Sequence, residues 1–231
     1  MKRFWREVSV SAVEGGWQVM LDGRGVKTPA RRAQVVPSRA LAERLAGEWA
    51  AQGEEIDPAG FVLRDMTDYA IDMVAPDPAI AHSAILPYGE TDTLCYRAEP
   101  GEALARRQEA AWEPLLKAAE ARLDVRFERV SGIIHQAQPA ATRARLKAAV
   151  TALDPFALAA LQTLTSLAAS LVIGLAALEP DADGVALWDA ANLEEDFQAE
   201  LWGRDAEAEA RRARRLADFT RAMDFVRAAR A

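Results

Sequence analysis

The stretch NLEEDFQAELWGRD, residues 192–205, sets Glu194, Glu195 and Asp196 side by side. Adjacent acids are raw material for a metal site or a general acid–base pair, provided their carboxylates converge. On one helix these do not. Each residue is turned about 100° from the last, so Leu193, Phe197 and Leu201 form an apolar row, and Glu194, Gln198 and Trp202 form a second row beside it. Asp196 and Glu200 fall on another side, with Arg204 spaced to pair with Glu200. Glu195 and Asp196 read as a solvated face. Glu194 differs, because it borders the apolar row and shares its own row with Gln198 and Trp202. Such an acid either caps something internal or meets a partner, and the residues alone leave both open.

Other reactive groups give less. His82 and His135 are far apart in sequence, and neither has a second His or Cys at zinc-ligand spacing. No Glu-x-x-His pair supports a di-metal bundle. The glycines at 15–16, 22–25 and 131–132 fit neither GxxxxGK[ST] nor a GxGxxG between strand and helix, and Asp22-Gly23-Arg24-Gly25 reads as a hairpin turn. No GxSxG is present. Cys95, the only cysteine, lies between Leu94 and Tyr96 and reads as a small buried hydrophobe. The residue chemistry therefore points to no enzyme, no cofactor and no metal. A carboxylate-based, metal-dependent enzyme is kept as an alternative.

The elements that must position the acid stretch begin with β structure. Val8 and Val10 alternate with polar neighbours, Glu14-Gly15-Gly16 marks a turn, and Trp17, Val19 and Leu21 alternate again. After the second turn, Val26-Lys27-Thr28 runs to Pro29, completing a three-stranded antiparallel meander. In PSRALAERLAGEWAAQG, Ser38 is a natural N-cap, Leu41, Leu45 and Trp49 form a stripe, and Gly53 can close the helix. Residues 61–74 begin extended and turn helical around Met66. Pro76-Asp77-Pro78 is the clearest break in composition, which places a boundary between residues 1–77 and 78–231. Beyond it helices are expected over 102–123, 142–153, 188–202 and from about Ala206, where Leu216, Phe219, Met223 and Val226 make a docking stripe. The fold class is α+β: a small N-terminal antiparallel sheet with a helix, followed by a larger all-α bundle.

The chain has 231 residues, 51% hydrophobic and 27% charged, and a net charge of −7. That is a globular composition, and the acidic balance argues against nucleic acid as a partner. One cysteine allows no internal disulfide, which suits a reducing compartment. Residues 156–178 carry no charge and are long enough to span a bilayer. Their Gln162, Thr163, Thr165, Ser166 and Ser170, and flanks without Lys, Arg or an aromatic belt, favour one buried helix of a bundle over stable membrane insertion.

The wording of several segments resembles a known family. LDGRGVKTPA, PSRALAERLAGEWAAQGEEIDP, TDTLCYRA and LEEDFQAELWG follow one another in the order found in the assembly chaperones of the ATP synthase catalytic sector, specifically assembly factor two, of mitochondria and α-proteobacteria. The matches run from about Phe4 to Trp202, and the Arg- and Ala-rich last helix matches less closely. The resemblance implies a non-enzymatic, ATP-independent chaperone that binds the unassembled alpha subunit and shields its beta-facing surface until the catalytic hexamer forms. It also implies an α/β N-terminal domain followed by a helical one. It gives functional weight to the acid after Leu in the LEE motif, here Glu194, and so to Glu194, Phe197, Gln198 and Trp202 as a partner-binding set. Trp49 matches another signature position, and its place on the Leu41–Leu45 stripe reads as core packing. Eukaryotic members begin with a mitochondrial targeting segment for the matrix. This chain starts almost at its first strand, which leads to the expectation of a bacterial cytoplasmic protein, and a monomer is expected. A structural subunit retained in the finished complex is the rival reading.

Overall fold

The computed structural model describes residues 1–132, 134–203 and 205–231. The chain is α+β, with an antiparallel sheet near its N-terminus and helices through most of the remainder. It divides into two compact units, each discontinuous in sequence. One comprises Met1–Ala81, Asp154–Ala160 and Arg221–Ala231, and the other His82–Leu153 and Leu161–Thr220.

In the first unit β1 (Val8–Val13) and β2 (Gly16–Leu21) pair antiparallel, Val8 opposite Leu21 and Val13 opposite Gly16. In the turn that follows, Asp22 and Gly23 both take positive φ, at 48° and 76°. Such a left-handed pair closes a tight hairpin. It leads to β3 (Arg24–Gly25), shorter and earlier than the Val26–Thr28 strand read from sequence. A fourth strand, β4 (Val35–Val36), pairs with Trp17 and Gln18 of β2 and has no counterpart in the sequence reading. Gly16 admits it: a Cβ there would lie 2.2 Å from the Val36 carbonyl oxygen.

Helix α1 (Arg39–Ala50) is capped as its sequence predicts, the Leu41 amide donating to Ser38 Oγ at 3.0 Å. Leu41, Leu45 and Trp49 are buried, and the helix packs on β1 and β2. Trp49 meets Trp5 edge to face at 4.9 Å and Phe61 at 4.6 Å, so core packing is its role. The helix ends at Ala50 with Ala51 as its right-handed C-cap, before Gly53.

Helix α2 (Val62–Tyr69) starts earlier than local sequence suggests and runs into a π-helical turn, Ala70–Val74. The reason is tertiary. Glu48 Oε1 and Oε2 accept from the Leu63 and Arg64 amides at 2.7 and 2.9 Å, so a carboxylate from α1 caps α2. Burial raises the Glu48 pKa against the lowering effect of those two amides. Helix α3 (Ala79–Ile85) follows. From the distant parts of the chain, Phe156 stacks on Phe225 at 6.1 Å, and Ser38 Oγ donates to the Ala228 carbonyl.

The second unit contains β5 (Tyr96–Arg97), α4 (Ala103–Leu123), β6 (Val130–Ser131) and α5 (Ala140–Thr151). The two strands form a short parallel ladder inside an otherwise helical unit. The uncharged stretch 156–178 is two helices rather than one: α6 (Pro155–Ala168) and α7 (Leu171–Ala177). Between them Ala169 takes a positive φ of 49°. This left-handed conformation stops the first helix and costs an alanine roughly 1–2 kcal/mol. Ser170 Oγ then accepts from the Ile173 amide at 3.0 Å, and Asp92 Oδ2 accepts from the Val172 amide at 2.9 Å. Among the described residues no helix is long and apolar enough to cross a membrane. Helices α8 (Gly184–Ala191), α9 (Leu193–Trp202) and α10 (Ala206–Ala229) complete the chain.

Candidate partner-binding surface

Residues 188–202 do not form one helix. Asn192 sits between α8 and α9 with φ −107° and ψ 15°, buried, its Nδ2 donating to the Trp188 carbonyl at 2.8 Å. That non-helical residue re-aims α9, whose face is then fixed by contacts from α4 and α10.

The decisive contact is to α4. Gln108 is fully buried. Its Nε2 donates to Glu194 Oε1 at 2.6 Å, and its Oε1 accepts from the Ala98 amide at 2.8 Å. One turn further along α4, Trp112 Nε1 donates to the Ala190 carbonyl at 2.7 Å. Glu194 as a residue is exposed. One carboxylate oxygen thus ends a buried chain of hydrogen bonds while the residue remains on the surface, which fulfils the internal-cap reading. The same Gln108 ties the TDTLCYRA segment, through Ala98, to the LEEDFQ segment.

Phe197 is half-buried beneath Arg107, whose guanidinium lies 5.0 Å from the ring centroid and pairs with Glu200 at 2.6 Å. Helical spacing pairs Glu200 with Arg204, which lies outside the described residues. Gln198 and Trp202 are exposed, Trp202 to 79% and its neighbour Leu201 to 60%. Glu194, Gln198 and Trp202 do share the row that helical spacing predicts, and Phe197 flanks it. Gly203, at φ 94°, ends the helix.

Asp196 is not the solvated acid that its sequence suggests. It accepts from Arg212 of α10 at 2.6 Å, and Arg212 reaches Asp189 of α8 at 3.1 Å. A single guanidinium therefore clasps α8, α9 and α10. Glu195 is exposed, as expected. Three consecutive acids thus have three different roles.

Sequence reading misses Gln108, Arg107 and Arg212. For Gln108 a signal exists: it shares the buried stripe of α4 with Trp112, Leu116 and Ala119, and a polar residue on an apolar stripe demands a partner. Nothing comparable marks Arg212 among its arginine neighbours.

Among the described residues no group of three or more His, Cys, Asp or Glu side chains is arranged to hold a metal. His135 is exposed, its Nδ1 2.9 Å from the Tyr96 hydroxyl. Cys95 is fully buried, and burial pushes its thiol up to about 12, so it is protonated at neutral pH. Asp92 is also fully buried, and desolvation raises it to about 6 against the hydrogen bonds it accepts from Val172, Ser170 and Leu94.

Comparison with known proteins agrees with this architecture. The crystal structure of Atp12 from Paracoccus denitrificans superposes with a TM-score of 0.93 at 39% identity, covering 99% of this chain and 98% of that one. A chain from Agrobacterium tumefaciens gives 0.92 at 41% identity, covering 97% and 85%. The curated protein atp12, mitochondrial, of Schizosaccharomyces pombe is 24% identical over 214 residues, which is 87% of this chain and 74% of that protein. Residues 2–120, just over half of the chain, match the family described as ATP12 chaperone protein. With the sheet, the helical unit and the α9 surface in place, the chain belongs to the ATP12 chaperone family.

Proposed function

We propose that this chain is an ATP synthase assembly chaperone that binds the unassembled alpha subunit and shields its beta-facing surface until the catalytic hexamer forms. In this reading Glu194, Phe197, Gln198 and Trp202 on α9 are part of the contact surface. The protein acts as a monomer in the bacterial cytoplasm, without catalysis or cofactor.

The observation that carries the reading is the exposed end of α9. Trp202 and Leu201 are large, apolar and exposed at the tip of a helix whose base is tied down by Gln108. A chaperone for a subunit surface must cover apolar area and then yield to the final partner. A few aromatic anchors on a rigid element suit that task, because anchors of this kind carry most of the energy of an interface. Glu194, with one oxygen committed to Gln108, keeps a second oxygen to accept a donor from the client.

The test is capture of purified alpha subunit by the folded chain. Trp202→Ala is expected to weaken capture roughly tenfold or more, since truncation of a buried aromatic anchor costs about 2 kcal/mol or more. Glu194→Gln keeps an acceptor for Gln108 and reports on the client side alone. Equal capture by the parent, Trp202→Ala and Glu194→Gln would remove α9 from the contact surface.

A further inference from the structure

An open apolar groove of about 780 Å³ lies on the second unit, separate from the row of Glu194, Gln198 and Trp202. One wall is the α4 face that carries Ala111, Pro114, Leu115 and Ala118. The other is α8 with Ala186 and Ala190, continued by Leu193. The same two helices carry Trp112 and Trp188, both fully buried, so the walls belong to helices anchored in a packed core.

We infer that this groove receives a cationic amphipathic helix of the client protein. Three features select that occupant. First, both walls are helices, and their small side chains let a third helix come close and settle its ridges between them. Second, the α4 wall runs from Ala111 to Arg122. At about 1.5 Å per residue that is roughly 17 Å, the length of a three-turn helix. Third, the rim is acidic. Glu179, Asp181, Asp183 and Asp189 line it; Arg122 pairs with Glu179 at 2.6 Å and Arg212 with Asp189 at 3.1 Å, which leaves Asp181 and Asp183 to face an incoming base. A segment with an apolar stripe flanked by Lys or Arg matches both floor and rim, in the helix-in-groove mode. A second copy docking groove to groove would set acid against acid, which disfavours it. That the helix belongs to the ATP synthase alpha subunit rests on the function proposed above. The preference for a cationic amphipathic helix rests on the groove alone.

Two arms test this. In the first, a fluorescein-labelled 14-residue Leu/Lys peptide designed as an amphipathic helix is titrated into the full chain and followed by anisotropy. Saturable binding is expected. Ala118 and Ala186 are exposed helix positions, where a substitution is expected to change stability little. Ala118→Lys and Ala186→Lys should weaken binding roughly tenfold or more, and Asp181→Lys by roughly two- to fivefold with further loss on adding salt. Equal binding to parent and variants, or no binding, overturns the inference. So does sedimentation that shows a dimer abolished by the same variants, since the occupant is then a second copy. In the second arm the variants are tested for alpha-subunit capture. Loss in Ala118→Lys and Ala186→Lys assigns the client to the groove, and undiminished capture overturns that assignment. A parent that captures no alpha subunit defeats the proposed function and leaves the peptide result to stand or fall by itself.

Discussion

Gln108 Nε2 donates to Glu194 Oε1 at 2.6 Å, joining two residues 86 positions apart. A bond between a buried amide and a surface carboxylate makes Glu194 a fastener between α4 and α9. Removing it leaves a buried donor without a partner. Glu194→Ala is therefore expected to cost about 1–3 kcal/mol in urea unfolding, and Glu194→Gln much less, because its amide oxygen can still accept. Gln108→Leu should also destabilise, by stranding the Ala98 amide. A double-mutant cycle over Gln108 and Glu194 should return a coupling of about 1 kcal/mol or more. Strict additivity would mean that the bond contributes nothing.

Asp92 sets a pH dependence. Its folded pKa, about 6, lies above its ordinary value of 3.8, so between those values the folded state holds a proton that the unfolded state has released. Its contribution is present at low pH and is lost as pH rises from about 4 to about 6, amounting to roughly 3 kcal/mol. Asp92→Asn should be less stable than the parent at pH 7, because its amide nitrogen would face a backbone donor. It should also lack the parent's fall between pH 4 and 6. Thermal melts of both proteins across that range read the difference, and parallel slopes would contradict it.

Ala169 stands in a left-handed conformation that glycine adopts without strain. Its carbonyl, which accepts from the Thr93 amide and hydroxyl, is unaffected by the change. Ala169→Gly should raise the stability by a few tenths to about 1 kcal/mol, the relief of strain exceeding the added freedom of the unfolded chain. Ser170→Ala next to it should lower stability by about 1 kcal/mol through loss of the cap on α7. Both are measured as shifts in the denaturation midpoint.

Glu48 caps α2 from α1. Glu48→Ala is expected to destabilise the protein by about 1 kcal/mol, as loss of a helix cap does. Loss of amide-exchange protection should concentrate at residues 62–66. Trp49 fills the space between Trp5 and Phe61. Trp49→Ala, which empties it, should cost more, about 3–5 kcal/mol. If Glu48→Ala leaves exchange at Leu63 and Arg64 unchanged, the capping role is wrong.

Features decided by neighbours in the chain were legible in the sequence. The β1–β2 hairpin follows from alternation and a glycine turn, α1 from Ser38 and its stripe, and the lone cysteine's burial from its setting. Features decided by distant partners were not. α2 begins where Glu48 reaches it, β4 exists because Gly16 leaves room, and the uncharged stretch breaks where Asp92 and Ser170 cap a new helix. The α9 row was readable from helical spacing, including the separation of Glu194 from its neighbours. The fastening of Glu194 by Gln108 and of Asp196 by Arg212 depends on helices whose approach no local pattern encodes.

Binding of the alpha subunit is tested by co-expressing the ATP synthase alpha subunit with and without this chain and measuring soluble alpha subunit, with native mass spectrometry of the eluted fraction. More soluble alpha subunit with the chain present and a one-to-one complex are expected. No gain in soluble alpha subunit and no complex would contradict such binding.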